Sequence, residues 1–350
     1  MKSFSRGILA LIIVSAILLF SDLENRNKVK KSGLTGQKGY LKSAGATLGL
    51  SKKRIALVQY IDSHNSEDCE RGIRKAFEEN NFREGSDFTL KVYNAQGDIS
   101  TLNSIVGTVG NDTWDLVMAV STPPAQLMAK KLVDARIVFT NVGDPVAAGL
   151  GKSFEDHLPN ICGISTMSDF DGLLKLVTAL HPRAKRIGTV FTPAEINSVA
   201  YKERLNASAK KFGIKLIAVP ANSATEVLDA ANSLVAQQID VFCQISDNLT
   251  GSCSSAILKV SHDSKVPYYG FVSQQLKQGG VAVCARDYFQ AGYDAGMMGL
   301  DVLAGKNTAD IPNRFVEKTE YLLNPEAAAF FKIEVSDQLF KEFPTLKKIQ

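Results

Sequence analysis

RIALVQY (54–60) is the first of a series of short apolar runs that alternate with amphipathic segments of helical length. Four further runs continue the series: FTLKVYN (88–94), WDLVMAVS (114–121), ARIVFTN (135–141) and ICGIS (161–165). Candidate helices lie between them, at Glu67–Asn80, Ile99–Gly110 and Pro124–Leu132. Near-continuous apolar strands that alternate with helices are typical of a parallel sheet covered by helices on both faces.

The same alternation returns in the second half of the chain. Strands are predicted for RIGTVFT (186–192), IKLIAVP (214–220), IDVFCQIS (239–246), VPYYGF (266–271) and GVAVCAR (280–286), and helices for Asp169–Leu180, Ser198–Phe212, Thr225–Gln237, Thr250–Asp263 and Tyr288–Ala304. Gly305 follows the last helix, where glycine favours a left-handed cap. The two halves have the same alternation of strands and helices, although no clear sequence repeat relates them. This alternation predicts an α/β fold with two doubly wound parallel-sheet lobes.

Residues 1–21 are predicted to be a signal peptide or a membrane anchor. Lys2 and Arg6 give a short positively charged start before the uncharged stretch Gly7–Phe20. This stretch is shorter than the roughly 20 residues of a spanning helix and fits the apolar region of a signal peptide. The apolar stretch is followed by no clean A-x-A cleavage signal and no lipoprotein cysteine, so an uncleaved anchor through residues 7–20 and a buried N-terminal helix are alternatives.

Residues 22–53 are polar, basic and rich in Gly and Ser, which is typical of a flexible linker or a disordered tail. Residues 1–53 carry ten of the 40 Lys and Arg and two of the 36 Asp and Glu, so the rest of the chain is slightly acidic. Nucleic-acid binding requires basic residues clustered on the folded part. The sequence shows no such cluster, and we exclude this class of partner.

Enzyme and metal signatures are absent from the sequence. The four histidines are scattered, and none lies at metal-ligand spacing with cysteine or carboxylate. There is no G-x-S-x-G elbow, phosphate-binding loop or dinucleotide fingerprint. The five cysteines form no C-x-x-C pair, and several lie in apolar runs where cysteine packs as a small hydrophobe. We therefore predict no catalysis, no metal and no cofactor.

In open parallel sheets, ligands bind beyond the carboxyl ends of the strands. Polar residues that directly follow the apolar runs are therefore the candidate ligand contacts. We predict a ligand-binding set of Tyr60, Ser121, Thr122, Asn141, Asp144, Asn197, Asp247 and Asn248.

Ser121 and Thr122 precede Pro123-Pro124, which can begin a helix, so their hydroxyls and nearby backbone N–H groups suit a ligand carboxylate. A simple helix-capping role is the alternative. Asp247 follows a strongly apolar run, where an unpaired carboxylate is costly and a ligand ammonium is a natural partner. Here too an N-cap is the alternative.

The other candidates have comparable alternatives. Asp144 lies in a G-D-P turn and Asn197 at a helix start, so each is either a contact or a local structural residue. Tyr60 is either an aromatic wall for an apolar ligand or a residue packed at the rim.

Several peptides occur together in a familiar order. They are ALVQYID (56–62), YNAQGD (93–98), STPPAQ (121–126), IVFTNVGDPVAAGL (137–150), AKRIGTVFTPAEINS (184–198), ISDN (245–248), DYFQAGYDAG (287–296), IPNRFVE (311–317) and LLNPEAAAFFKIEVSDQLF (322–340). On these peptides the chain, over about residues 54–340, resembles the ABC-transporter substrate-binding family that includes the tryptophan-binding protein TrpX. Many members are lipoproteins, and this sequence lacks their lipid-attachment cysteine.

The resemblance implies a type I periplasmic-binding-protein fold, with two lobes joined by a hinge and the ligand in the cleft. It implies an aromatic or other apolar amino acid as ligand, an ABC permease and ATPase as partners, and a place in the periplasm or on the outer face of the cell membrane. The solute-binding domain is expected at 54–350, with lobe 1 at about 54–163 and 287–307, lobe 2 at about 165–285 and 311–322, and a C-terminal tail at 323–350.

The chain is expected to cross between the lobes near Gly163–Thr166, Arg286–Tyr288 and Thr308–Asn313. Solute capture for import is the first functional hypothesis. The alternative is a membrane-anchored ectodomain that senses a ligand by the same closure and passes a signal to a partner. A cytoplasmic repressor would need a helix-turn-helix before residue 54, where the sequence is apolar and then polar.

Overall fold

Two sheets organise the protein, whose computed structural model describes residues 51–317 and 319–349. The predictions for residues 1–50 lie outside these described residues. The strands are β1 (Lys53–Gln59), β2 (Phe88–Asn94), β3 (Leu116–Val120), β4 (Ile137–Val142), β5 (Ile161–Ser165), β6 (Arg186–Phe191), β7 (Lys215–Pro220), β8 (Val241–Cys243), β9 (Tyr268–Gly270), β10 (Ala282–Arg286), β11 (Arg314–Phe315), β12 (Thr319–Leu323) and β13 (Lys347–Lys348).

The helices cover both faces of the sheets. They are α1 (His64–Glu79), α2 (Ile99–Gly110), α3 (Thr122–Lys131), α4 (Phe170–Leu180), α5 (Ile196–Lys211), α6 (Ala224–Ala236), α7 (Asn248–Ser252), α8 (Ser254–Ser264), α9 (Gln274–Lys277), α10 (Tyr288–Leu303), α11 (Pro325–Phe330) and α12 (Asp337–Glu342), with a 3-10 turn at Thr308–Asp310. Because both faces are covered, a central strand such as β1 is buried continuously from Ile55 to Val58, which explains its unbroken apolar run.

Both sheets have the same winding. The first has the order β11-β5-β4-β3-β1-β2 and the second β13-β12-β10-β9-β8-β6-β7. Strand pairs are parallel throughout the first sheet, and in the second only β10 with β12 is antiparallel among the described strands. The strand order reverses between β1 and β3 and again between β6 and β8, which places a crevice at each point. The predicted type I fold of two doubly wound lobes is confirmed.

Helix α10 returns the chain to the first lobe, which we define as the first sheet with its helices. It packs closely along α1, and this approach requires glycine. A Cβ at Gly292 would overlap the backbone oxygen of Cys69, and one at Gly72 would overlap that of Phe289. The residue after this helix region, Gly305, has φ +101°, which confirms the predicted left-handed cap.

The chain passes between the lobes after β5, after β10 and after β11. The third passage was predicted at 308–313 and lies instead after Phe315, where β11 ends. Residues 311–315 were predicted in the second lobe and belong to the first. Strand β11 pairs with β5, and the Asn313 N–H donates to the carbonyl of Phe154 at 2.8 Å. A two-residue strand is too short to show a periodic pattern, so the sequence could not predict with which sheet β11 pairs.

Arg286 connects the three passages. Its Nε donates to the carbonyl of Met167 at 2.7 Å, and its Nη1 donates to the hydroxyl of Thr319. The C-terminal segment then packs on the second lobe, where Leu323, Leu339 and Phe343 join the core. Within residues 51–317 and 319–349, no helix has both the length and the hydrophobicity needed to cross a membrane.

Candidate functional site

A cavity of about 300 Å³ lies between the lobes, at the carboxyl ends of the strands. Its first-lobe wall comprises Asp62, Ser63, His64, Asn65, Glu67, Thr122 and Asn141. Its second-lobe wall comprises Asn197, Tyr201, Ser246, Asp247, Asn248, Gly251, Ser252, Ser254, Val272, Gln274, Gln275 and Gln278. None of these lining residues, all in the described part of the chain, is Lys or Arg. Apart from His64, the walls therefore offer acidic and neutral groups to a ligand.

The first-lobe wall is strained at the start of α3. Ser121 has φ +85° and ψ 167°, a backbone region used almost only by glycine. Its hydroxyl is buried, makes no capping hydrogen bond and has no partner in the structure. Thr122 follows it and faces the cavity. Since Pro123 and Pro124 lack N–H groups, the anion-binding capacity of this helix start lies mainly in the two hydroxyls.

The start of α1 forms a second part of this wall, which the sequence analysis did not select. Ser63 caps the helix by accepting from the Ser66 N–H at 3.2 Å. Asn65 donates from Nδ2 to the hydroxyl of Ser246 in the second lobe at 3.3 Å, and its Oδ1 is buried without a partner. Ser63 and Asn65 lie four and six residues after Gln59, where β1 ends, whereas the sequence analysis selected only Tyr60 at this strand end.

Asp247 dominates the second-lobe wall. It is 4% exposed, and its carboxylate accepts from the Ser198 hydroxyl at 2.5 Å and from the Thr250 N–H and hydroxyl at 2.7 and 2.6 Å. It thereby caps α7. Burial, and then the nearby charge of Glu195, raise the pKa of the Asp247 carboxyl to about 7. The predicted cap is present, and the carboxyl also faces the cavity.

Glu195 is a second buried carboxylate, and the sequence analysis missed it. It accepts from the N–H groups of Asn248 and Leu249 at 3.0 and 3.1 Å and from the Nδ2 of Asn248 at 2.6 Å. It also accepts from the Nδ2 of Asn197 at 3.2 Å. In the sequence it is one glutamate in a loop, and only the folded chain brings it to the start of α7, 53 residues later.

The predicted ligand-binding residues fall into two groups. Thr122, Asn141, Asn197, Asp247 and Asn248 line the cavity. The remaining three, Tyr60, Ser121 and Asp144, lie beside it and do not line it. The Tyr60 ring packs against the first-lobe core, and burial followed by the charge of Glu195 raises the pKa of its hydroxyl.

Asp144 is held by protein groups. Its Oδ1 accepts from the N–H groups of Val146 and Ala147, and its Oδ2 forms an ion pair with Arg204 of α5 at 2.5 Å. This pair joins the two lobes. The carboxylate therefore caps a turn, as the alternative interpretation had it, and also makes a contact between lobes.

The lobes touch at further points around the cavity. Tyr201 of α5 reaches the first lobe so closely that a Cβ at Gly143 would overlap its hydroxyl. Together with the Asn65–Ser246 hydrogen bond and the Asp144–Arg204 ion pair, this contact holds the lobes in a closed arrangement.

Among the described residues there is no group of three or more His, Cys, Asp or Glu placed to hold a metal ion. All five cysteines are free thiols, and four are buried. Burial raises the pKa of Cys69, Cys162 and Cys284 to about 12, which keeps these thiols protonated and unreactive.

The family model described as ABC transporter substrate binding protein matches residues 54–346. A tyrosine-binding protein from Clostridioides difficile (strain R20291) is 34% identical to the chain over 275 residues, which cover 79% of each protein.

Two solved structures share the fold. The ligand-free, open structure of a substrate-binding protein with adhesive properties from Clostridium difficile is 30% identical, with a TM-score of 0.65 over 85% of this chain and 99% of that one. An ABC domain in complex with L-Trp from Streptococcus pneumonia is 24% identical, with a TM-score of 0.80 over 85% of this chain and 100% of that one.

Proposed function

The chain belongs to the ABC transporter substrate-binding protein family, and we propose that the solute it binds is an aromatic amino acid, tyrosine or tryptophan. As a member of this family it is the binding component of a transporter and not an enzyme. The observation that carries the proposal is the cavity between the lobes, which is lined on one wall by the buried carboxylate of Asp247 and on the other by the hydroxyl of Thr122.

The α-ammonium of the ligand is assigned to Asp247. A buried carboxylate next to another carboxylate is unfavourable unless a cation joins it. Among the residues that the structure describes, no Lys or Arg lines the cavity, so a ligand ammonium is the cation that this wall lacks. Asn197 and Asn248 flank Asp247 and complete the subsite.

The α-carboxylate is assigned to the hydroxyl of Thr122, which lines the cavity, with the hydroxyl of Ser121 beside the cavity as a second donor. The Ser121 hydroxyl is buried without a partner, and a bound carboxylate would satisfy it. The strained backbone at Ser121 supports this assignment, because such strain concentrates at ligand clamps. Asn141, also at positive φ (57°), lies in the same wall and can donate from its amide.

The side-chain end of the cavity favours an aromatic ring that carries a polar atom. Tyr201 and Val272 supply apolar contact, whereas Gln274, Gln275 and Gln278 supply donors and acceptors. A phenol hydroxyl or an indole N–H can pair with these amides, and a phenylalanine ring cannot. The named ligands of the two relatives, tyrosine and L-Trp, support this choice.

Capture proceeds by hinge closure. A ligand that touches Thr122 in the first lobe and Asp247 in the second makes both sets of contacts only when the lobes are closed. Its binding free energy therefore shifts the population toward the closed state. We further propose that residues 1–21 export or anchor the protein, that 22–53 is a linker, and that an ABC permease and ATPase receive the ligand outside the cytoplasm.

Isothermal titration of the purified protein against the twenty amino acids, nucleosides and simple sugars tests the proposal. We expect tyrosine or tryptophan to bind at least tenfold more tightly than phenylalanine. A ligand at 100 times its Kd should add about 2.7 kcal/mol to the stability, so thermal shift provides an independent reading. Binding of a sugar or nucleoside with no response to any aromatic amino acid would refute the ligand assignment.

A further inference from the structure

Glu195 occupies an unusual position under the second-lobe wall. It is 7% exposed, begins α5 as its N-cap residue, and makes no capping hydrogen bond to its own helix. Instead both carboxylate oxygens accept from the start of α7, at the N–H groups of Asn248 and Leu249. Among the described residues no Lys or Arg forms an ion pair with it. All the hydrogen bonds that this buried carboxylate accepts therefore come from neighbouring protein groups, whose positions it fixes.

The groups that it holds are two asparagines that line the cavity. The Nδ2 groups of Asn197 and Asn248 both donate to Oε2 of Glu195, at 3.2 and 2.6 Å. An amide whose nitrogen is tied in this way cannot rotate to exchange its two ends. For Asn197 the consequence is visible, because its Oδ1 is buried at the cavity without a hydrogen-bond partner.

We infer that Glu195 is the positioning residue of the ammonium subsite, and that it fixes Asn197 and Asn248 so that the wall around Asp247 presents acceptors to a ligand donor. This inference rests on the proposed function, because the ammonium subsite is part of it. Glu195 itself does not line the cavity and acts through its neighbours.

Glu195 also acts on Asp247 through charge. The titratable groups that interact with Asp247 are Glu195 and, from α5, Tyr201, with Tyr288 adjacent to Tyr201. Of these, Glu195 contributes the repulsion that helps to raise the pKa of Asp247, after the larger effect of burial. Because the two carboxylates repel each other and have no cation beside them among the described residues, binding of an ammonium group at this wall becomes more favourable.

Glu195→Gln tests the inference, with Glu203→Gln as the matched control. Glu203 lies on the same helix, is largely exposed and pairs with Lys202 at the surface. Each variant is titrated with L-tryptophan and L-tyrosine and with the corresponding arylpropanoates, which lack the amine. We expect Glu195→Gln to lose at least tenfold in affinity for the amino acids and less than threefold for the arylpropanoates. Glu203→Gln should match the parent.

An equal loss for both kinds of ligand would overturn the inference, because it would show a general structural role. If Glu195→Gln does not fold, Asn197→Leu removes the oriented acceptor and leaves the bonds of Glu195 to α7 intact. Asn197→Leu should then lose affinity for the amino acids and not for the arylpropanoates. An equal loss for both kinds of ligand would again contradict the inference.

A ligand-free measurement separates this inference from the proposed function. Carboxyl ¹³C NMR follows the titration of Asp247 in the parent and in both variants. We expect the Asp247 midpoint to move to lower pH in Glu195→Gln and to stay unchanged in Glu203→Gln. An unchanged midpoint in Glu195→Gln would overturn the inference. Failure of the parent to bind any aromatic amino acid would defeat the proposed function, while the titration would still decide the role of Glu195.

Discussion

Asp247→Asn should change ligand affinity and ligand-free stability in opposite directions. Asparagine keeps the size of the side chain and is as good an N-cap as aspartate, so α7 stays capped. The substitution removes the negative charge and replaces one acceptor oxygen by an NH2 donor. Losing a charge-assisted contact to the ligand ammonium costs about 1.5–3 kcal/mol, which corresponds to a ten- to hundredfold weaker Kd.

The ligand-free protein should respond differently. A rise in the pKa of the Asp247 carboxyl from an ordinary 3.8 to about 7 means that the buried charged form is disfavoured by about 4 kcal/mol. Asparagine avoids this cost, but it gives up about 1–2 kcal/mol because its Nδ2 matches the Ser198 hydroxyl less well than a carboxylate oxygen does. At pH 8 the variant should therefore be about 2–3 kcal/mol more stable than the parent.

The sign of this effect depends on pH. A carboxyl whose pKa is raised in the folded state contributes stability below its unfolded pKa and loses that contribution as the pH rises through the folded value. The advantage of Asp247→Asn should therefore be full at pH 8 and shrink as the pH falls below 7. It should become a small disadvantage below about pH 5, where the weaker hydrogen bond to Ser198 outweighs the remaining cost of the charge.

Calorimetric titration at pH 7.5 and thermal unfolding at pH 5 and pH 8 give both readings. Asp263→Asn is the control, since Asp263 is exposed on α8 and pairs with Lys259 at the surface. Parent-like affinity in Asp247→Asn would show that Asp247 does not hold the ligand. A variant that is destabilised at pH 8 would show that the ligand-free wall already satisfies the charge.

Four further outcomes follow from the same geometry. Ser121→Gly should stabilise the ligand-free protein by about 1 kcal/mol, because glycine relieves the strain at φ +85°, and a denaturant unfolding curve measures this gain. The same variant should bind the ligand more weakly, because the unpartnered hydroxyl is lost, and a titration measures that effect. Gly143→Ala should prevent the approach of Tyr201 and hold the lobes apart, which small-angle scattering with saturating ligand would show as a larger radius of gyration than in the parent. Gly292→Val should destabilise the fold by more than 2 kcal/mol, because α10 cannot pack on α1, and an unchanged denaturation midpoint would contradict the close packing. Ligand binding at pH 6 should release a proton from Asp247 and tighten about tenfold by pH 8; titration heats that do not depend on buffer ionisation enthalpy at pH 6 would exclude this linkage.

The location of the cavity could be predicted because it follows from the winding of the sheets. Thr122, Asn141 and Asp247 were found by reading the first polar residues after apolar strands, and all three line the cavity. The same rule passed over the start of α1, where Asn65 reaches the second lobe. Tyr201 lies within α5 rather than at a strand end, so no local pattern marked it.

The sequence by itself determined the order and type of the main elements. In a sheet covered on both faces, burial requires the central strands to be apolar along their length and the covering helices to be amphipathic. The local periodicity therefore predicts the ten strands β1 to β10 and most of the helices between them. Only the tertiary structure decided which distant residues meet. Glu195 reaches Asn248 across 53 positions, and Asn65 reaches Ser246 across 181. Short strands such as β11 likewise take their sheet from the available edge of β5. Such pairings depend on how the lobes stack and close, and a periodic pattern of hydrophobic residues carries no information about them.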